Sequence, residues 1–129
     1  NTRKTLWTEF HAFIDLPQQV NPLSGYLYNT NHSPFKASSV ADNLKAEGYP
    51  SEMGFDLRDN NRSLRFRELM LDSGKISWEE FERIKYDQTL PSTLAFRTDM
   101  NNLFSLDSTK YPDIEKQIST LKNWNKHYA

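Results

Sequence analysis

The rhythm of polar and apolar positions changes near residue 60. Before it, apolar residues are scattered among Pro, Asn and Ser; after it, they recur every three or four positions, the period of a helix with one buried face. Residues 5–13 set Leu6, Trp7, Phe10 and Phe13 among polar neighbours in imperfect alternation, which predicts extended chain or a short strand. Pro17 and Pro22 bracket an extended linker. Over residues 24–29, Tyr26 and Tyr28 share one face and Leu27 takes the other, with Gly25 permitting close backbone approach, so this is the best strand candidate. The polar run Asn29-Thr30-Asn31-His32-Ser33-Pro34 predicts a turn at its end, because Asn bonds its own backbone and tolerates left-handed conformations. Residues 39–47 predict a short helix stopped by Gly48 and Pro50, and residues 51–61 a loop.

Four helices follow. Asn60 or Asn61 is placed to cap the first, which runs to about Asp72 with Phe66, Leu69 and Met70 on one face and Gly74 beyond its end. Ser77 and Glu80 have capping-box spacing ahead of a second helix carrying Trp78, Phe81 and Ile84. Ser92 is placed to cap a third, with Phe96, Met100, Leu103 and Phe104 at helical spacing. Pro112 suits the first turn of a fourth, which repeats Ile114, Ile118 and Leu121. These stripes read as core faces rather than as a ligand groove. The expected fold class is α+β, mainly helical: a strand-bearing segment over 1–35, a loop with a short helix over 36–61, and a helical subdomain over 62–129.

Composition narrows the function. The 129 residues suffice for one core, yet only 36% are hydrophobic and the mean hydropathy is −0.80, lean for a self-contained globule. Part of the surface is expected to be covered by other protein. An aromatic content of 13% argues against disorder. Sixteen basic and 17 acidic side chains are interleaved, which leaves no footprint for nucleic acid. No apolar run approaches the roughly 20 residues a membrane span requires, and the first residues lack the basic-then-apolar pattern of a signal peptide.

The candidate chemistry is sparse. His11, His32 and His127 never pair at helical spacing, so they read as surface or locally hydrogen-bonded groups and no metal is expected. Four glycines without phosphate-loop spacing disfavour nucleotide binding, zero cysteines exclude disulfides and thiolate chemistry, and the GxSxG strand-to-helix pattern is absent. No cofactor is expected. Asp56 and Asp59, close to Arg58 and Arg62, predict a loop-to-helix ion-pair network.

The run PQQVNPLSGYLYNTNHSPF, residues 17–35, resembles the penicillin acylases and acyl-homoserine-lactone acylases: Asn21-Pro22, Gly25, Asn29, Asn31 and Pro34 fit that family's Asn-Pro, Gly, Asn-x-Asn and Pro in order and spacing. NRSLRFRELM at 61–70 looks like the family's Arg-containing helix start, KISWEEFERIKYDQTLP resembles the helix after it, and LKNWN is similar to a Leu-x-x-Trp-Asp segment. The resemblance implies an N-terminal-nucleophile amidohydrolase of αββα fold with an added helical layer, cleaving a linear amide, with Asn31 as the oxyanion-hole donor. It also implies an arginine that orients the site; Arg62 fits best, with Arg65 and Arg58 as rivals.

Such enzymes are heterodimers cut from one precursor, and their nucleophile is the first residue of the larger chain, far upstream of the Asn-x-Asn motif. This chain therefore reads as an internal piece of the larger (beta) chain that carries the oxyanion donor and not the nucleophile. Thr2 lies too close to the motif to be that nucleophile. The implied partners are the rest of the precursor, with its nucleophile-bearing segment and smaller alpha chain, and a small-molecule amide, in the periplasm or outside the cell. A penicillin, a homoserine lactone and a peptide-like amide all remain open as substrate, so antibiotic metabolism is one implied setting. The alternative from another class is an independent, non-catalytic helical interaction module.

Overall fold

The computed structural model describes residues 9–71, 74–95 and 101–127. The chain divides into two compact units, residues 1–58 and 59–129. Helical segments dominate. Among the described residues, β-structure is confined to one isolated antiparallel bridge between Thr89 and His127.

The first unit is irregular chain pinned by single 3-10 turns at Phe13–Asp15, Pro34–Lys36, Ala46–Gly48 and Ser51–Met53. The strand expected over residues 24–29 is not formed, although residues 26–29 lack helix or turn geometry. Its polar groups are spent singly: the Tyr28 N–H donates to the Ala37 carbonyl at 3.0 Å, and the Ser38 hydroxyl donates to the Tyr26 carbonyl at 2.9 Å. A side chain has taken a place that a ladder partner would fill. Of the extended segment expected over 5–13, residues 5–8 lie outside the described residues, residues 9–12 have no regular structure, and Phe13 opens a 3-10 turn.

The helix expected over residues 39–47 is also replaced, by a turn and the short 3-10 segment Ala46–Gly48. Local side chains compete for its backbone and its flanks. Asn43 Oδ1 accepts the Ser38 N–H at 2.9 Å, and Asp42 Oδ2 accepts the Ser24 N–H at 2.7 Å and the Ser39 hydroxyl at 3.2 Å. These bonds, led by that from Ser24, hold the Asp42 carboxyl below the usual carboxylate range. Phe35 anchors the apolar centre of the unit, edge-on to Phe55 at 5.6 Å and tilted against Tyr49 at 5.3 Å.

The second unit begins with helix α1, Asn61–Met70. Asn60 caps it: its Oδ1 accepts the Ser63 N–H at 2.9 Å while the Ser63 hydroxyl accepts the Asn60 N–H at 3.1 Å. Its expected end near Asp72 lies outside the described residues. Helix α2, Trp78–Lys85, starts at Ser77, whose Oγ accepts the Glu80 N–H at 3.2 Å. The second half of that capping box is not made as expected, because the Glu80 carboxylate pairs with Arg83 one turn on.

Ser92 does not cap a helix. Its N–H donates to Glu68 Oε1 at 2.8 Å, and its hydroxyl donates to the same oxygen. Of the stripe assigned to that helix, Phe96 and Met100 lie outside the described residues, and Leu103 and Phe104 fall in a 3-10 segment, Asn101–Ser105. Pro112 opens a 3-10 turn, Pro112–Ile114, that runs into helix α3, Glu115–Lys122. Ile118 at its middle is 2% exposed and forms the core with Ile84, Leu94 and Pro91. Other members of the stripes face out: Trp78 is 68% exposed and Phe81 46%, so the α2 stripe is only partly a core face.

Candidate active site

The turn after Tyr28 is built by its own side chains. Asn29 Oδ1 accepts the backbone N–H of Asn31 at 2.7 Å, and Asn31 sits at φ 59°, in the left-handed region. That conformation costs most L-residues roughly 1–2 kcal/mol and is tolerated by Asn, whose short polar side chain bonds locally. Asn31 is solvent-exposed, while Ser33 and Phe35, two and four residues on, are buried. Asn31 therefore stands on backbone held by a local bond, at a position open to solvent. A neutral amide N–H suits a developing oxyanion, because it donates without releasing a proton.

His32 lies within the same turn. Its Nδ1 is 3.1 Å from the Thr30 N–H and 2.9 Å from the Thr30 hydroxyl, and its Nε2 is 2.8 Å from the Lys36 carbonyl. The ring stacks on Tyr28, with centroids 4.5 Å apart and planes 18° from parallel. His32 is thus the locally hydrogen-bonded residue the sequence suggested. A pocket of about 310 Å³ borders the turn, lined by Asn29, His32, Pro34, Leu27, Leu44 and Gln19 among others. A larger one, about 430 Å³, lies against the aromatic cluster of Phe35, Tyr49 and Phe55.

The arginines divide by what holds them. Arg58 makes a two-pronged contact with Asp56, Nε to Oδ1 and Nη2 to Oδ2, both at 3.0 Å. Arg65 grips Asp87 through Nε at 2.8 Å and Nη2 at 3.1 Å and reaches Glu68 at 3.2 Å. The Arg65 hydrogen bonds hold the Asp87 carboxyl below its usual range against the opposing effect of burial. Burial pushes Glu68 up, but the Ser92 hydroxyl and N–H, with Arg65, outweigh it and leave it lowered. Asp59 is held by Arg67 at 2.9 Å. The expected ion-pair network is present in the Arg58–Asp56 and Arg67–Asp59 pairs. Arg62, the second residue of α1, is exposed. Asn31 belongs to the first unit and Arg62 to the second.

The family model for penicillin amidase matches residues 1–129, the whole chain, and the chain belongs to that family. No solved structure matches it. Membership carries acylase-type hydrolysis of an amide as the chemistry of the family, and a multi-chain precursor as its usual setting. Among the described residues, no group of three or more His, Asp or Glu side chains is placed to hold a metal ion, and no helix is long and apolar enough to cross a membrane.

Proposed function

We propose that this chain is the part of a penicillin-amidase-type acylase that supplies the oxyanion donor, Asn31, and the orienting arginine, Arg62, to a nucleophile carried on another segment. The observation that carries the reading is the locked left-handed turn: Asn29 Oδ1 fixes the Asn31 backbone at a solvent-exposed position. In the reaction, an amino-terminal hydroxyl or thiol attacks the amide carbonyl and the free α-amine takes its proton, directly or through water. The carbonyl oxygen gains charge as the carbon becomes tetrahedral, and the Asn31 N–H donates to it. Collapse of the intermediate expels the amine and leaves an acyl-enzyme for water to hydrolyse.

Arg62 is preferred to Arg65 and Arg58 because, by its distance from the Leu69-Met70 pair, it fits best as the family's helix-start arginine. The αββα core is proposed to be completed by the rest of the precursor. Exposure of Phe10 at 93% and Leu23 at 98% supports cover by further protein. A periplasmic or secreted location and a small linear amide as substrate belong to the same proposal. Asn31→Asp in the processed enzyme keeps the size and the tolerance of left-handed backbone but replaces the donor with a carboxylate. Turnover is expected to fall by at least about 100-fold, the lower range for loss of one such donor; turnover near wild type rejects the assignment.

A further inference from the structure

We infer that His32 is a positioning residue for the oxyanion donor, clamping the Asn31 turn to the buried part of the first unit; this rests on the Asn31 assignment above. The hydrogen-bond partners fix how the ring must be protonated. The Lys36 carbonyl only accepts, so Nε2 carries the hydrogen. The Thr30 N–H only donates, so Nδ1 presents its lone pair, which the Thr30 hydroxyl also approaches. One tautomer satisfies both ends.

The ring therefore ties the residue before Asn31 to a residue five positions after it. Lys36 closes the 3-10 turn Pro34–Lys36, whose cap Ser33 and middle residue Phe35 are buried. Stacking on Tyr28 holds the ring plane. Asn31 lies between the two tied points, and its N–H is held by Asn29. The reach of its side-chain amide is thus set by backbone fixed on both sides, and small displacements of a catalytic donor carry large rate costs. His32 touches no reacting atom in this scheme; it acts through Asn31.

The test uses the active, processed acylase that carries these residues. His32→Phe keeps the ring and its stack on Tyr28 while removing the hydrogen bonds of both ring nitrogens. It is expected to lower kcat by about 10-fold to 100-fold with KM within about twofold of wild type, the pattern of an interaction realised in the transition state. His32→Asn places an amide oxygen near the position of Nδ1, where it accepts from Thr30 but leaves the Lys36 carbonyl untied, and is expected to recover only part of the kcat lost in His32→Phe. If His32→Phe does not yield folded enzyme, Thr30→Val, which removes the hydroxyl contact, is expected to lower kcat with KM unchanged. An unchanged kcat in either variant, or an equal rise in KM without rescue by Asn, overturns the inference. Asn31→Gly in the same preparation separates the two levels. If it abolishes most turnover while His32→Phe does not, the clamp alone is wrong; if it leaves turnover intact, the donor assignment fails as well.

Discussion

Replacing Asp87 by Asn tests whether Arg65 is a structural arginine, which the assignment of Arg62 to the active site requires. The guanidinium of Arg65 forks onto Asp87 at 2.8 and 3.1 Å and joins Glu68, which in turn accepts from Ser92. This network ties α1 to the segment that follows α2. Asn keeps one acceptor oxygen and turns an amide N–H₂ toward the guanidinium, so one charge-assisted bond is lost and the other is weakened. Such a bond contributes roughly 1.5–3 kcal/mol when well buried. The side chains of Arg65 and Asp87 are 26% and 13% exposed, so solvent screening lowers the expected cost to about 1–2 kcal/mol.

For a domain of this size that corresponds to a fall in Tm of roughly 3–8 °C, read by thermal or denaturant unfolding. Acid adds a second readout with a defined sign. The folded carboxyl of Asp87 is lowered by Arg65, so its stabilisation is complete above the unfolded value near 3.9 and is lost as pH falls through the folded value. Wild type should therefore lose stability more steeply than Asp87→Asn below about pH 4. Equal midpoints at neutral pH, together with parallel acid profiles, would show that the fork contributes nothing and would reopen Arg65 as the active-site arginine.

Asn60→Ala removes the α1 cap and should cost about 1 kcal/mol at constant m-value in urea unfolding; no change in midpoint would mean the capping box is not made. Arg62→Ala should leave that midpoint within about 0.5 kcal/mol of wild type, as for other exposed substitutions, and lower turnover in the processed acylase. A loss of stability without a loss of turnover would assign Arg62 to the fold instead. Gly54, at φ 67° after the turn Ser51–Met53, should lose about 1 kcal/mol on substitution by Ala, since the left-handed region penalises a Cβ; an unchanged midpoint would contradict that geometry.

What could be read from the sequence follows the range of the forces involved. The starts of α1 and α2 were legible because a cap is a contact between residues three apart, and Asn60 and Ser77 make theirs. Ile118 was legible as core because a helical period points it inward wherever the partner lies. The strand at 24–29 was not, since a strand exists only with a ladder partner and Ser38 occupies the Tyr26 carbonyl instead. Ser92 looked like a cap because nothing in its neighbourhood shows that Glu68, 24 residues away, takes its N–H.

The site divides the same way. The Asx turn at Asn29-Thr30-Asn31 is local and was expected from composition, and the role given to Asn31 came from the family motif. The tie from Thr30 through His32 to Lys36 is not visible in the sequence. A lone histidine in a polar turn gives no signal of which carbonyl its far nitrogen will meet.

The most direct test of the donor assignment is the single-turnover acylation rate of the processed enzyme with Asn31→Gly, a substitution that relieves the φ 59° backbone and deletes only the side-chain amide. The rate should fall about 100-fold to 1,000-fold, with substrate affinity and unfolding midpoint close to wild type. Acylation within about threefold of wild type, less than loss of one oxyanion donor removes, would contradict the account.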